Sequence, residues 1–108
     1  MNLDEYQNLA SRTIATDKNE TELLINMQMG LSGETGEISD HMKKALFQGH
    51  EMELGYIKKE LGDIMWYIAL GATALDINLS EIAQMNIDKL NKRYPNGFEA
   101  ERSVNRDD

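Results

Sequence analysis

Apolar residues along this chain recur with the period of an α-helix, and no segment alternates between apolar and polar residues as a half-buried strand would. Four helices are predicted, at about 3–15, 21–47, 51–75 and 80–94. The polar segment 16–20 separates the first two, Ser80 is the expected N-cap of the fourth, and Pro95 ends it. Short connections between amphipathic helices favour an all-α four-helix bundle.

The third predicted helix carries apolar residues on every side. One face holds a regular stripe: Leu54, Ile57, Leu61, Ile64, Ile68, Ala72 and Leu75. Trp66 and Leu70 fall on the opposite face, so this helix should be covered from both sides. Either a second copy of the chain covers the opposite face, which predicts a homo-oligomer, or the first helix and the tail do.

The 108 residues fit one domain, 1–108, whose tail at about 95–108 is polar and is expected to be largely irregular. The chain has no cysteine, which excludes disulfides and thiolate metal sites. Its formal charge of −8 argues against a nucleic acid partner. No apolar stretch is long enough to span a bilayer and the first residues do not resemble a signal peptide, so a cytoplasmic protein is expected.

The segment 30-GLSGETGEISDHMKK-44 is unusual within the second predicted helix, because glycine recurs at Gly30, Gly33 and Gly36. Each helical glycine costs about 1 kcal/mol relative to alanine. The glycines leave a strip without side chains beside Glu34 and Glu37, which a neighbouring helix or a ligand could occupy. Both carboxylates fall within the apolar face of the helix, where charge is not expected.

A second acid pair, Glu60 and Asp63, lies on the third helix with the same spacing of three. Both pairs project from faces that should pack inward, unless the phase of the helical wheel is wrong and the acids lie on the surface. Four carboxylates brought together need cations to offset their repulsion. Hard oxygen ligands suit Mg²⁺, which keeps room for substrate phosphates, and Mn²⁺ is a possible substitute.

A di-iron bundle is the competing interpretation of these acids. Its signature is Glu-x-x-His on two helices, whereas His41 follows Glu37 by four residues and the third helix has no histidine. We therefore favour Mg²⁺, and expect His41 to be a hydrogen-bonded helix residue rather than a ligand.

The fourth helix places Asn86 within its apolar stripe, with Arg93 close by and Lys89 at the edge. An amide and two cations facing an acidic cleft could bind phosphate oxygens or a base. An asparagine satisfied by backbone groups, beside long basic side chains that extend to solvent, explains the pattern equally well.

The segments 34-ETGE-37, 60-ELGD-63 and 86-NIDKLNKRYPNGF-98 together resemble the signature of MazG-like nucleoside triphosphate pyrophosphohydrolases, over about residues 22–106. The resemblance implies an all-α, MazG-type fold and Mg²⁺-dependent hydrolysis of nucleoside triphosphates to the monophosphate and pyrophosphate. It also implies a homodimer or homotetramer.

By this resemblance Glu34, Glu37, Glu60 and Asp63 become catalytic metal ligands, and Glu37 is the first choice for the group that orients or deprotonates the attacking water. Asn86, Lys89 and Arg93 become substrate-binding residues for the nucleotide. The alternative function is a non-catalytic regulatory or oligomerisation module that retains the helices and a divalent-metal site.

Overall fold

In the computed structural model, which describes residues 1–106, every regular element is a helix. The helices are α1 (Leu3–Ala10), followed by a 3₁₀ turn (Ser11–Thr13), α2 (Glu20–Phe47), α3 (Leu54–Ala74), α4 (Leu79–Arg93) and α5 (Ala100–Val104). The predicted all-α class is confirmed. Helix α5 lies in the polar tail, and residues 107–108 of that tail fall outside the described part of the chain.

Local sequence explains where the first two helices begin. Asn2 accepts a hydrogen bond from the Glu5 backbone N–H at 2.8 Å and caps α1. Asn19 caps α2 in a reciprocal capping box: its side chain accepts from the Glu22 N–H at 2.9 Å, and the Glu22 carboxylate accepts from the Asn19 N–H at 3.1 Å. Such caps satisfy backbone donors that have no partner within the helix.

Helix α4 is capped by side chains of α1, and the predicted N-cap at Ser80 is wrong. The helix begins one residue earlier, and its N-cap residue, Asn78, makes no side-chain capping bond. Instead the Leu79 N–H donates to the Gln7 side chain at 2.7 Å, and the Ser80 N–H donates to Asp4 at 2.9 Å. Side chains of a helix that is distant in sequence therefore cap α4, whereas the sequence predicted a cap by a local residue.

The same contact fixes α1 across the α3–α4 connection. The Ser80 hydroxyl donates to the second Asp4 oxygen at 2.6 Å, and the Gln7 amide donates to the Ile77 carbonyl at 2.9 Å. The bonds from Ser80 lower the pKa of Asp4, because they favour the ionised carboxylate. Polar side chains of α1 thus hold the start of α4 in place.

Helices α2 and α3 form an antiparallel pair that packs closely at two glycines. A Cβ atom at Gly30 would overlap the ring of Tyr67, and one at Gly71 would overlap the Met27 sulfur. By contrast, a Cβ at Gly33 or Gly36 would meet nothing within 4 Å. Only the first of the three glycines in α2 therefore serves close helix packing within this chain.

This difference predicts opposite effects for two identical substitutions in α2. Gly30→Ala should destabilise the protein, because the Tyr67 ring must move out of a packed position at a cost of about 1–3 kcal/mol. The higher helix propensity of alanine offsets only part of this cost. Gly33→Ala should stabilise it by up to about 1 kcal/mol, because alanine favours the helix and the space is open. Urea unfolding of the two variants beside the wild type measures both; a stabilising Gly30→Ala would contradict the close contact.

The buried face of α3 differs from the predicted one. Leu70, placed by sequence opposite the core, is 1% exposed, and Ala69 and Ala72 are also buried. The Trp66 indole N–H donates to the Thr13 hydroxyl at 2.8 Å, so α1 and its 3₁₀ turn cover the face that was expected to need a partner chain. The first helix therefore covers part of this face, as one alternative predicted, and the homo-oligomer stays a prediction.

Much of the predicted apolar stripe of α3 faces outward instead. Its exposed members recur every seven residues: Leu54, Leu61, Ile68 and Leu75. The radius of gyration is 17.1 Å, whereas a compact domain of this length has about 13 Å. No helix of the described residues is both long enough and apolar enough to cross a membrane.

Candidate metal centre

Three of the four predicted acids meet between α2 and α3. Glu34, Glu37 and Glu60 each bring one carboxylate oxygen within 4.8 Å of the others. Glu34 and Glu37 are three residues apart and so project from one face of α2. Glu60 faces them from α3, so these three acids meet across the two helices, but Glu37 is exposed and the prediction that it faces inward is wrong.

Burial of the acids leaves two oxygens unsatisfied. Glu60 is 7% exposed, Glu34 is half-buried, and Glu37 reaches solvent. One oxygen of Glu34 and one of Glu60 are buried without a hydrogen-bond partner among the described residues. A buried charged oxygen without a partner is costly, so both atoms have ligand capacity that the chain itself does not use.

Neighbouring carboxyls of the cluster raise the pKa values of Glu37 and Glu60. The pKa of Glu37 is raised first by the approach of the Glu60 carboxyl, because two carboxyls share a hydrogen bond only when one is protonated, and then by the charge of Glu60. The pKa of Glu60 is raised by its contact with Glu34 and then by burial. Without a cation, the cluster therefore resists full ionisation.

Asp63 lies beside the cluster rather than within it. Its oxygens do not belong to the group that meets within 4.8 Å. Its charge nevertheless raises the pKa values of Glu37, Glu60 and Tyr6, which places it near all three. As a side chain exposed to solvent, Asp63 is within electrostatic reach of anything held by the three glutamates.

This donor set fits a hard divalent cation. Carboxylate oxygens are the ligands that Mg²⁺ and Mn²⁺ take in proteins. A cation among Glu34, Glu37 and Glu60 would coordinate the two unsatisfied oxygens and offset the repulsion that raises the pKa values. Gly33 and Gly36 leave open space on the same helix beside these acids.

One contact next to the cluster was only partly foreseen. The ring of His41 stacks on Tyr56 with centroids 4.7 Å apart, and His41 Nε2 accepts a hydrogen bond from the Glu53 N–H at 3.0 Å. His41 is therefore a hydrogen-bonded helix residue, as expected, and lies outside the carboxylate group. Tyr56 precedes Glu60 by one helical turn and so shares its face, a spacing from which this contact could be predicted.

The predicted substrate-binding residues of α4 lie apart from the acids within this chain. Asn86 lines an apolar cavity of about 280 Å³ between α1, α3 and α4. Lys89 is exposed on α4, and the Arg93 guanidinium lies 5.9 Å from the centre of the Tyr94 ring. Helix α4 packs chiefly against α1, so the structure does not join these three residues to the acid cluster.

Comparison with known proteins shows the family of this chain. The model of the MazG nucleotide pyrophosphohydrolase domain matches residues 24–98, which include both acid pairs and all of α3. The chain is 39% identical over 105 residues to the Gene 37 protein of Mycobacterium phage L5, covering 90% of this chain and 92% of that protein. No solved structure matches. The chain belongs to the MazG nucleotide pyrophosphohydrolase domain family.

Proposed function

We propose that this protein hydrolyses nucleoside or deoxynucleoside triphosphates to the monophosphate and pyrophosphate with Mg²⁺, and so limits unwanted nucleotides in the cytoplasm. The observation that carries the proposal is the cluster of Glu34, Glu37 and Glu60 with two buried, unsatisfied oxygens. A chain of charge −8 repels a triphosphate. A cation held by these carboxylates removes that obstacle.

The roles of the acidic residues in metal binding and water activation follow from how exposed each one is. Bound Mg²⁺ would neutralise phosphate charge and lower the pKa of a coordinated water. Glu34 and Glu60, which are the more buried, would hold the cation, and the exposed Asp63 would add a further ligand or stay beside the bound cation without coordinating it. Glu37 reaches solvent, and its raised pKa suits a carboxylate that orients water and accepts its proton.

Nucleotide binding away from the reacting phosphate is assigned to α4. The cavity beside Asn86 is apolar apart from this one amide, which suits the flat face of a base and a hydrogen bond to its edge. Lys89 and Arg93 supply positive charge for phosphate oxygens.

Hydrolysis of a panel of ribo- and deoxyribonucleoside triphosphates with Mg²⁺ tests the proposal. We expect pyrophosphate and the nucleoside monophosphate as products, and no turnover in EDTA. Release of orthophosphate instead would contradict the assigned bond cleavage. Absence of turnover of every nucleotide by folded, Mg²⁺-loaded protein would overturn the proposal and favour the non-catalytic regulatory module.

We further propose that the chain acts as a homodimer or homotetramer. Exposed Leu54, Leu61, Ile68 and Leu75 follow the seven-residue spacing with which helices pair along a seam. A second copy would bring further helices to the open side of the acid cluster.

Sedimentation of wild type and Ile68→Glu measures this association. The charge should break an apolar interface, and the variant should sediment as a smaller species than the wild type. Lys59→Glu, an exposed position on the side of the same helix away from the seam, is the matched control and should leave the assembly intact. A monomeric wild type would contradict the proposal.

A further inference from the structure

We propose that His41 is a positioning residue for the acid cluster: by stacking on Tyr56 and accepting the Glu53 N–H, it fixes α3 against α2 so that Glu60 meets Glu34 and Glu37. The inference rests on the proposed metal site. It assigns to His41 neither metal coordination nor contact with substrate.

The contacts across α2 and α3 keep one antiparallel register. Met27 meets Gly71 and Gly30 meets Tyr67 at one end of the pair. Toward the α2–α3 connection, Glu37 meets Glu60, and His41 then meets Tyr56. Steps of three, seven and four residues forward in α2 match steps of four, seven and four residues backward in α3. The His41–Tyr56 stack is thus the layer next to the acids.

This layer lies one helical turn, about 6 Å along the axes, from the Glu37–Glu60 layer. His41 follows Glu37 by four residues and Tyr56 precedes Glu60 by four, so each ring shares a face with a carboxylate. If one helix slid along the other, the ring and the carboxylate one turn away on that helix would therefore move together. No other aromatic stack joins α2 to α3 in residues 1–106.

The acids make such a contact necessary. Mutual repulsion among Glu34, Glu37 and Glu60 pushes the two helices apart. On one side of the acids, the glycine contacts hold the helices together. On the other side, the N-cap residue of α3, Glu53, makes no side-chain capping bond of its own. The bond from its N–H to His41 Nε2 and the ring stack hold that end.

Two substitutions separate the stack from the hydrogen bond. His41→Phe keeps a ring on Tyr56 but removes the acceptor, whereas His41→Ala removes both. We expect the dissociation constant for Mn²⁺, measured from the spin resonance of free Mn²⁺, to rise about 10-fold or more in His41→Ala and less in His41→Phe. The Glu53 amide should exchange its hydrogen faster in both variants.

The matched control is Gln7→Ala. It removes hydrogen bonds from α1 to Thr73 at the far end of α3, to the α3–α4 connection and to the start of α4, and so lowers the melting temperature without removing a contact between α2 and α3. Its Mn²⁺ affinity should equal that of the wild type. With saturating metal and nucleotide, kcat of His41→Ala should recover toward the wild-type value, because the carboxylates remain present.

Several results would overturn the inference. Wild-type Mn²⁺ affinity in His41→Ala would show that the register does not depend on His41. An equal loss of Mn²⁺ affinity in Gln7→Ala would show that reduced stability alone explains the effect. Should His41→Ala fail to fold, His41→Phe carries the same test. Failure of the wild type to bind Mn²⁺ would instead refute the proposed metal site and, with it, the inference.

Discussion

Glu60→Gln should lower nucleotide hydrolysis by more than about 100-fold, since even residues that only support metal ligands contribute roughly 10–100-fold. Glu60 is the most buried acid of the cluster and carries one of its unsatisfied oxygens. Glutamine keeps the shape of the side chain but removes the charge, so the cation loses a ligand while the helices keep their packing. Initial rates at saturating Mg²⁺ and nucleotide measure the loss.

The same substitution should raise the melting temperature of the metal-free protein. The glutamine amide can donate a hydrogen bond to Glu34, whereas the glutamate repels it. Glu37→Gln should behave likewise, with collapse of activity and a metal-free protein that folds at least as well. The matched control is Glu20→Gln, which removes a charge from an exposed position in the first turn of the same helix. Unchanged turnover in Glu37→Gln or Glu60→Gln would remove that residue from the site.

Without metal, the acid cluster should make the wild-type protein less stable as the pH rises, whereas most carboxylates make a folded protein more stable as the pH rises. In the folded protein the pKa values of Glu37 and Glu60 lie above their ordinary value of 4.5. These groups bind protons more tightly folded than unfolded, so their contribution to stability is complete below about pH 4.5 and is lost as the pH rises through the raised values. In EDTA, the melting temperature should therefore fall from pH 5 to pH 7.

Glu60→Gln isolates this contribution. Other carboxylates, such as Asp4 and Asp40, have lowered pKa values and stabilise the fold more as the pH rises. The difference in melting temperature between Glu60→Gln and the wild type cancels their effect and should grow from pH 5 to pH 7. A difference independent of pH would contradict the proposed repulsion within the cluster.

Addition of Mg²⁺ or Mn²⁺ should reverse the trend, because the cation binds the ionised carboxylates and not their protonated forms. At neutral pH and a metal concentration 100 times the dissociation constant, a cation that binds only the folded state stabilises it by about 2.7 kcal/mol. For a domain of this size, such a change raises the melting temperature by on the order of 10 °C. Equal melting temperatures in EDTA and saturating Mg²⁺ would contradict the site.

The helices themselves were largely predictable, because their signals are local. The second predicted helix, 21–47, agrees with the observed Glu20–Phe47 to within one residue. The exceptions arise where a distant residue acts. Ser80 was the expected N-cap of α4 from its type alone, whereas Asp4 and Gln7 supply the capping oxygens from α1. A helical wheel contains no information about a side chain more than seventy positions away.

The acid-bearing faces of α2 and α3 were predictable for a different reason, although Glu37 and Asp63 are exposed. Glu34 and Glu37 interrupt an apolar face, and such an interruption signals a function whichever helix lies opposite. The wheel was less informative about α3: periodicity identified an apolar stripe, but Leu61 and Ile68 of that stripe are exposed, while Leu70 is the buried residue. When a helix is apolar all round, its sequence does not tell which side the rest of its own chain will cover.

The sequence by itself determined the all-helical fold and the acid pairs Glu34/Glu37 and Glu60/Asp63, because helical period and side-chain charge are local properties. Only the tertiary structure decided which carboxylates meet, because that depends on the register between α2 and α3. The contact of Gly30 with Tyr67 and the stack of His41 on Tyr56 accompany this register at opposite ends. They bring Glu34, Glu37 and Glu60 together and leave Asp63 beside this cluster but outside it.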